Sequence, residues 1–497
     1  MGNLLILEKI GRYNLLSRRF DLSGGLQIAS NKYLMKQNQV LRAQNVISPT
    51  IGSFTKRLGY TQIGGQMTAA KDILMNVEFQ YGTTPTRKHI VVCNAASESE
   101  VYLNSSGTWT QQAQNLTAGA KARGTDFVDY LFLCNYSDAT RSYSGSAWST
   151  STNVTSAPKA KYIESYKNRL YLGYCNVSST AYPSRIYYSS LPASDGTISW
   201  DTTNDYFYVE TQDGDHITAL AKNKTHLLVF KENSMFRYDG TYAATNLKPV
   251  SWNLGAVSQE SVVLDENIVF FYSRKGVAMS SGGEPKIISR PIQPIIDRVN
   301  QANLGDICGG IHGDHLLMYV GTLTSALPGD SAALTKVMLD YNINQNLWTY
   351  HIIPDEPQAF ATYTSTGAKL LSFGDANGEM FTWDSGSTDD GTDIDTLIQF
   401  KMWPAGPETV NTFQSAYFFG DDNLGDVDFA WRVDEGDFST DVDLDDSYSK
   451  KHFADSSVDP MGRELEIKLS EEGGTSAWRL DGVSVESSTE DLDIKES

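Results

Sequence analysis

Short apolar runs of four or five residues recur along this chain, separated by polar punctuation rich in Gly, Asn, Ser and Asp. His89-Ile-Val-Val-Cys93, Tyr130-Leu-Phe-Leu-Cys134 and Tyr171-Leu-Gly-Tyr-Cys175 each end in cysteine followed by asparagine, and the cysteines stand 41 residues apart, twice over. The same slot continues downstream with an aromatic in place of the thiol: His226-Leu-Leu-Val-Phe230, Asn267-Ile-Val-Phe-Phe271, His315-Leu-Leu-Met-Tyr319 and Lys369-Leu-Leu-Ser-Phe373. Seven occurrences average about 47 residues apart, the period of a four-stranded sheet that must stack against neighbours to bury its faces. After each slot comes a second β-rich stretch, such as Glu100-Val-Tyr-Leu103 before Trp109, Arg185-Ile-Tyr-Tyr188 before Trp200, or Glu379-Met-Phe-Thr-Trp383. Clusters of β-formers bounded by turn residues predict strands.

The pattern therefore predicts an all-β chain with a β-propeller over residues 65–388, most simply of seven blades, with six or eight if a terminal repeat is miscounted. The slot cysteines read as buried small hydrophobes rather than disulfide or metal partners, since no Cys-x-x-Cys or His-x-x-x-His spacing occurs. Beyond the Ser385-Gly-Ser-Thr-Asp-Asp-Gly-Thr392 linker, period-2 alternation in Thr396–Trp403, Ala416–Phe419, Val427–Val433, Glu464–Leu469 and Trp478–Val485 predicts an antiparallel β-sandwich over 389–497, with Glu486–Ser497 as a flexible tail.

Charge divides the chain in the same places. Residues 384–497 hold 29 Asp/Glu against 8 Lys/Arg, while the whole 497-residue chain is at −20. Residues 1–60 hold nine Lys/Arg, among them Arg42, Lys56 and Arg57, against Glu8 and Asp21. Residues 1–64 are read as a basic arm and lead-in. The apolar start, Met1–Leu7, is too short for a signal peptide, and no run approaches a membrane span, so no membrane insertion is expected.

Candidate chemistry is sparse. The acidic runs Asp421–Asp428 and Asp441–Asp446 offer oxygen atoms but fit no twelve-position calcium loop. Asp213-Gly-Asp215-His216 and Gly374-Asp-Ala-Asn-Gly378 read as hairpin turns. Ser194-Asp-Gly-Thr-Ile-Ser-Trp200 departs from the sialidase turn in spacing and has no second copy. No catalytic, cofactor-binding or metal-ligating residue is assigned, and the chain is not expected to be an enzyme.

Several motifs, in order, resemble the β-propeller tail proteins of tailed bacteriophages (tail nozzle or tail tubular proteins). Ser23-Gly-Gly-Leu26, Asn45-Val46 and Gly52-Ser-Phe-Thr-Lys-Arg57-Leu-Gly59-Tyr60 match the N-terminal signature. Asp213–Ala219 with Leu227–Lys231, Leu254–Ser261, Phe270–Val277 with Ile287–Ser289, Asp340-Tyr341 with Trp348, Phe373–Phe381 and Asp389-Asp-Gly391 follow, so the resemblance spans residues 21–395. It implies a structural virion protein assembled in the host cytoplasm: a homo-oligomeric, six-fold ring in the tail that contacts adjoining tail or adaptor proteins and tail fibres. Viral DNA would pass through it at genome ejection without tight binding, because a net −20 chain lacks a basic stripe for phosphate. A carbohydrate- or receptor-binding propeller of the virion is the alternative.

Overall fold

The structure, a computed structural model, describes residues 6–10, 13–31, 34–67, 71–105, 107–240, 246–402, 409–421, 424–444, 448–453, 459–474 and 476–489. Seven four-stranded antiparallel blades follow one another, six as separate sheets and blade VI as part of a larger one. Blade I is Ile73–Tyr81, Thr86–Asn94, Glu98–Ser105 and Thr108–Thr117. Blades II to V open with Arg123–Phe127, Lys159–Tyr166, Ile217–Lys222 and Val262–Asp265. Blade VI is Cys308–His312, His315–Gly321, Val337–Asn342 and Leu347–Ile352, and blade VII opens with Ala359–Ser365. The opening strand of each blade packs on that of the next, and that of blade VII packs on that of blade I, which closes the ring.

The slot residues explain why the ring holds. Cys93, Cys134, Cys175, Phe230, Phe271, Tyr319 and Phe373 all lie on the second strand of their blades, and all seven are buried. Phe230 and Phe271 meet across the blade IV–V interface with ring centroids 5.0 Å apart. The four cysteines are free thiols, and Cys308 Sγ donates to the Pro357 carbonyl. Trp200 lies in the loop before Tyr206–Tyr208 and is held by its indole N–H on Asn153 O.

Two expectations are corrected. Blade VII has three strands of its own, and its fourth is Tyr60–Gln62, paired antiparallel with Met380–Trp383. A boundary at 65 therefore cuts off the strand that completes the ring. The leader is also no free arm. Tyr13–Phe20 pairs with Arg479–Thr489, Gln39–Gln44 pairs with Thr396–Met402, and Phe54–Lys56 pairs with Arg479-Leu480. The physical reason is its own alternation: Phe20, Leu22, Val40, Ala43 and Phe54 are buried in one core with Ile398, Phe413, Phe429, Ile467 and Trp478 from the C-terminal strands.

The two chain ends thus form a single two-layer β-structure. One layer runs Ile6–Ile10, Tyr13–Phe20, Arg479–Thr489, Asn411–Gly420, Tyr448–His452. The other runs Gln39–Gln44, Thr396–Met402, Leu465–Glu471, Asp428–Val433, Val442-Asp443. The second layer continues through Gln44, which bridges Tyr350 in parallel, into blade VI, making one ten-stranded sheet. Of the expected tail, Glu486–Thr489 continues the strand Arg479–Thr489, and residues 490–497 lie outside the described residues.

Candidate functional site: the joint between propeller and sandwich

The signature residues of the leader converge where blade VI, blade VII and the sandwich meet. Arg57, just past the strand Phe54–Lys56, has its side chain 2% exposed and lies on Asp389 in a two-armed pair, Nη1–Oδ1 2.7 Å and Nη2–Oδ2 2.6 Å. Its Nε donates to Asn45 Oδ1, its Nη2 to the Ile352 carbonyl, and its guanidinium stands 5.3 Å from the centre of the Trp383 ring. Asn45 completes the knot: Oδ1 also accepts from Ile352 N–H, Nδ2 donates to Asp395 O, and its N–H donates to Tyr350 O. Asn45 has φ +54°, a left-handed conformation that asparagine tolerates better than most residues.

Neighbouring signature positions have equally local reasons. A Cβ on Gly59 would sit 1.8 Å from Thr388 O, so only glycine lets the leader pass the segment that follows blade VII. Tyr60 is fully buried, and its hydroxyl donates to Asp355 at 2.7 Å. Burial, with Asp389 and Asp355 beside it, pushes the phenol well above its usual range. Lys56 Nζ meets Glu471 at 2.7 Å with both side chains 2% exposed, and Trp478 Nε1 donates to the other oxygen of that carboxylate. Arg42 pairs with Asp330 at 2.7 Å. Three of the leader's cations are therefore neutralised inside their own chain.

A second polar group sits directly beneath. Asp340, 1% exposed, takes two imidazoles: His315 Nδ1 at 2.7 Å and His351 Nε2 at 3.0 Å. Burial works against charge on Asp340, but the His315 charge and the hydrogen bonds from both rings outweigh it and hold the carboxyl down at about 2. Burial also opposes the proton on His315, yet Asp340 raises it overall. His351 goes the other way: burial, with smaller contributions from Arg57 and His315, lowers it more than the Asp340 hydrogen bond and charge raise it. A cavity of about 70 Å³ opens among His312, His315, Asp340, His351, Trp383, Asp384, Arg57, Leu58 and Ile47.

Other signature segments also partner one another. Lys231 Nζ, with a side chain 0% exposed, is held by both oxygens of Asp213 at 2.8 and 2.7 Å and by Glu210 O. The loop read as a plain hairpin turn is thus clamped on a buried ammonium. Gly255 lies where a Cβ would be 1.9 Å from Lys231 O. Asp375 forms a turn by accepting from the backbone of Asn377 and Glu379.

The propeller axis is spanned by charge. Arg123 of blade II reaches Glu260, just before blade V, at 2.7 Å, and Lys121 reaches Asp306, just before blade VI, at 3.3 Å. The axial cavity is about 220 Å³. A larger one, about 610 Å³, lies between the blade VI loop at Pro328-Gly329 and the sandwich residues Gln399, Arg432, Phe438 and Glu466.

Of the acidic runs, Asp428 and Asp443 face each other across paired strands. Burial, the hydrogen bond to Asp443 and the charges of Asp443 and Asp441 raise Asp428. Asp422, Asp445 and Asp446 lie outside the described residues. Among the described residues no group of three or more His, Cys, Asp or Glu is arranged to hold a metal ion, and no helix is long and apolar enough to cross a membrane.

The histidine pair escaped sequence reading because its members lie 36 residues apart and each sits in an ordinary strand. Their meeting follows from pairing: Asp340 stands opposite Leu317 on one side and Thr349 on the other, two residues from each histidine. Such a diagonal is invisible before the register is known.

No family model matches the chain, and no curated protein does. Among solved structures, the chain is similar to the extracellular domain of a B. thetaiotaomicron protein described as a one component system, with 13% identity and a TM-score of 0.39. The match covers 76% of this chain and 45% of that one, so the chain spans under half of its length.

Proposed function

We propose that this chain is a structural protein of a bacteriophage tail, a nozzle or tail-tube component whose copies form a ring, with six-fold symmetry as the expectation, that conducts the genome at ejection. One observation carries the reading: residues of the resembling motifs are each other's partners in space. Arg57, bonded to Asn45, pairs with Asp389 more than three hundred residues on, and Lys231 pairs with Asp213. A set of motifs matched by chance would have no reason to interlock. The signature thus marks a rigid propeller–sandwich body rather than a reactive centre, which suits a part that bears load and contacts neighbours.

In this reading the lumen lies between copies, because each propeller axis is bridged by Arg123–Glu260 and Lys121–Asp306. The test is mass photometry and electron-microscopic class averaging of the purified protein, alone and with the other virion proteins encoded beside its gene. Closed rings support the proposal. A monomer under every combination would remove it.

A second reading, glycan or receptor binding, is favoured by blade III. There Tyr182, Tyr206 and Tyr208 surround the Arg185 guanidinium at 3.7, 4.1 and 4.5 Å, and Tyr208 is 48% exposed. Retention of glycans by the isolated protein, lost in Tyr208→Ala, would favour it.

A further inference from the structure

We propose that His351 makes the propeller–sandwich joint acid-labile, so that a proton on its imidazole separates the strand Leu347–Ile352 of blade VI from the strand Gln39–Gln44 of the sandwich. The backbone link between these strands is narrow. Among the described residues a single bridging pair, Tyr350 with Gln44, joins them, and Asn45 extends it by binding Tyr350 O and Ile352 N–H. His351 stands between those two residues in sequence, fully buried. A change of charge at this ring therefore acts at the joint itself.

The ring is poised to accept that charge poorly while the joint is closed. Its Nε2 is bonded to Asp340, and its Nδ1 is buried without a hydrogen-bond partner at the 70 Å³ cavity. The groups facing it from the surrounding elements are Asp340 and His315 from blade VI, Trp383 from blade VII with its ring centroid 5.9 Å away, and Arg57 from the leader. His312 and Asp384, paired at 3.0 Å, line the far side of the cavity. One negative charge, Asp340, is already shared with His315. A second proton would place two imidazolium ions on one carboxylate with the Arg57 guanidinium nearby. Once the joint opens, the imidazole reaches water and takes its proton freely, so protons bind the open form more tightly and shift the population toward it.

The signs of the neighbouring groups agree. His351 is lowered in the closed form, so its contribution to stability is present above its ordinary value near 6.5 and is lost as pH falls below it. His315 is raised, so its contribution is fully present below 6.5 and is lost only as pH rises through its elevated value. Asp340 keeps its charge until pH approaches about 2. Between about pH 7 and 5, acid thus removes the His351 contribution and leaves the other two in place.

The experiment is hydrogen–deuterium exchange on the full chain at pH 7.5 and 5.5, with rates corrected for intrinsic pH dependence, on wild type, His351→Gln and His315→Gln. Glutamine at 351 keeps a donor for Asp340 without a titrating ring. In wild type, the amides of 39–47 and 347–352 are expected to exchange severalfold faster at pH 5.5, up to the ceiling of about tenfold that one proton on an imidazole of ordinary value near 6.5 allows, with blade II unchanged. In His351→Gln that acceleration disappears. In His315→Gln it shrinks, because Asp340 then serves His351 alone, and this variant tests the same coupling should glutamine at 351 prevent folding. Equal wild-type exchange at the two pH values, or an undiminished acceleration in His351→Gln, would overturn the proposal.

Discussion

Replacing Arg57 with leucine should be among the most destabilising single changes in the chain. The substitution leaves Asp389 with a side chain 2% exposed and without the guanidinium that bound both its oxygens, and it strips a donor from Ile352 O and from Leu58 O. Removing one partner of a buried ion pair costs about 3–5 kcal/mol, because the remaining charge stays desolvated and unpaired. The exposed pair Lys224–Glu266, at 3.9 Å with side chains 70% and 83% exposed, sets the contrast. Lys224→Ala should cost less than about 1 kcal/mol. Urea unfolding followed by circular dichroism measures the difference. With a slope of about 3 kcal/mol/M, the Arg57→Leu midpoint should fall by about 1–1.7 M. The double replacement Arg57→Leu/Asp389→Leu should recover most of that loss, since an apolar pair of suitable volume often matches a buried ion pair. If Arg57→Leu costs no more than Lys224→Ala, the knot is not what holds the sandwich to the propeller, and the reasoning fails.

Three further outcomes are expected. Phe271→Ala should lose about 3–5 kcal/mol in the same assay, and Cys134→Ala far less, because the first opens a ring-sized void between blades IV and V and the second removes one sulfur atom. A fragment of residues 58–388 should fold as a propeller and unfold at higher temperature than 65–388, which lacks the fourth strand of blade VII; identical melting of the two would contradict the strand pairing. The full-length protein should show no sub-micromolar, salt-sensitive binding to labelled duplex DNA in a titration, since Arg42, Lys56 and Arg57 are spent on Asp330, Glu471 and Asp389.

The repeat was legible because one physical demand recurs seven times: the second strand of every blade needs a side chain that fills the gap to its neighbour. Cys93, Cys134 and Cys175 fill it in one part of the ring and Phe230, Phe271 and Phe373 in another, and a period survives that change of residue type. The sandwich strands were legible for the same reason, their alternation being visible within each segment. The leader was misread because its charge dominates its composition. Lys56 and Arg57 carry no local sign that Glu471 and Asp389, more than three hundred residues on, will neutralise them. Tyr60–Gln62 was lost to the propeller because a three-residue strand has no period to detect, and its partner Met380–Trp383 lies at the other end of the ring. The Asp340 cluster was hidden by register, as a diagonal contact between strands always is.

The borrowed strand of blade VII also sets an order of events during synthesis. Tyr60–Gln62 leaves the ribosome about 320 residues ahead of Met380–Trp383, a wait of roughly 16–64 s at ~5–20 residues per second. The strand Tyr13–Phe20 waits longer still for Arg479–Thr489. Throughout that interval Phe20, Val40 and Phe54 are apolar side chains on strand segments without their partners, the kind of surface that invites pairing with another nascent chain. Blades I to VI can form as they emerge, but the ring closes only once Met380–Trp383 has emerged and the sandwich only once Arg479–Thr489 has, so the yield of this protein in a cell should depend on holdase chaperones acting on its first sixty residues.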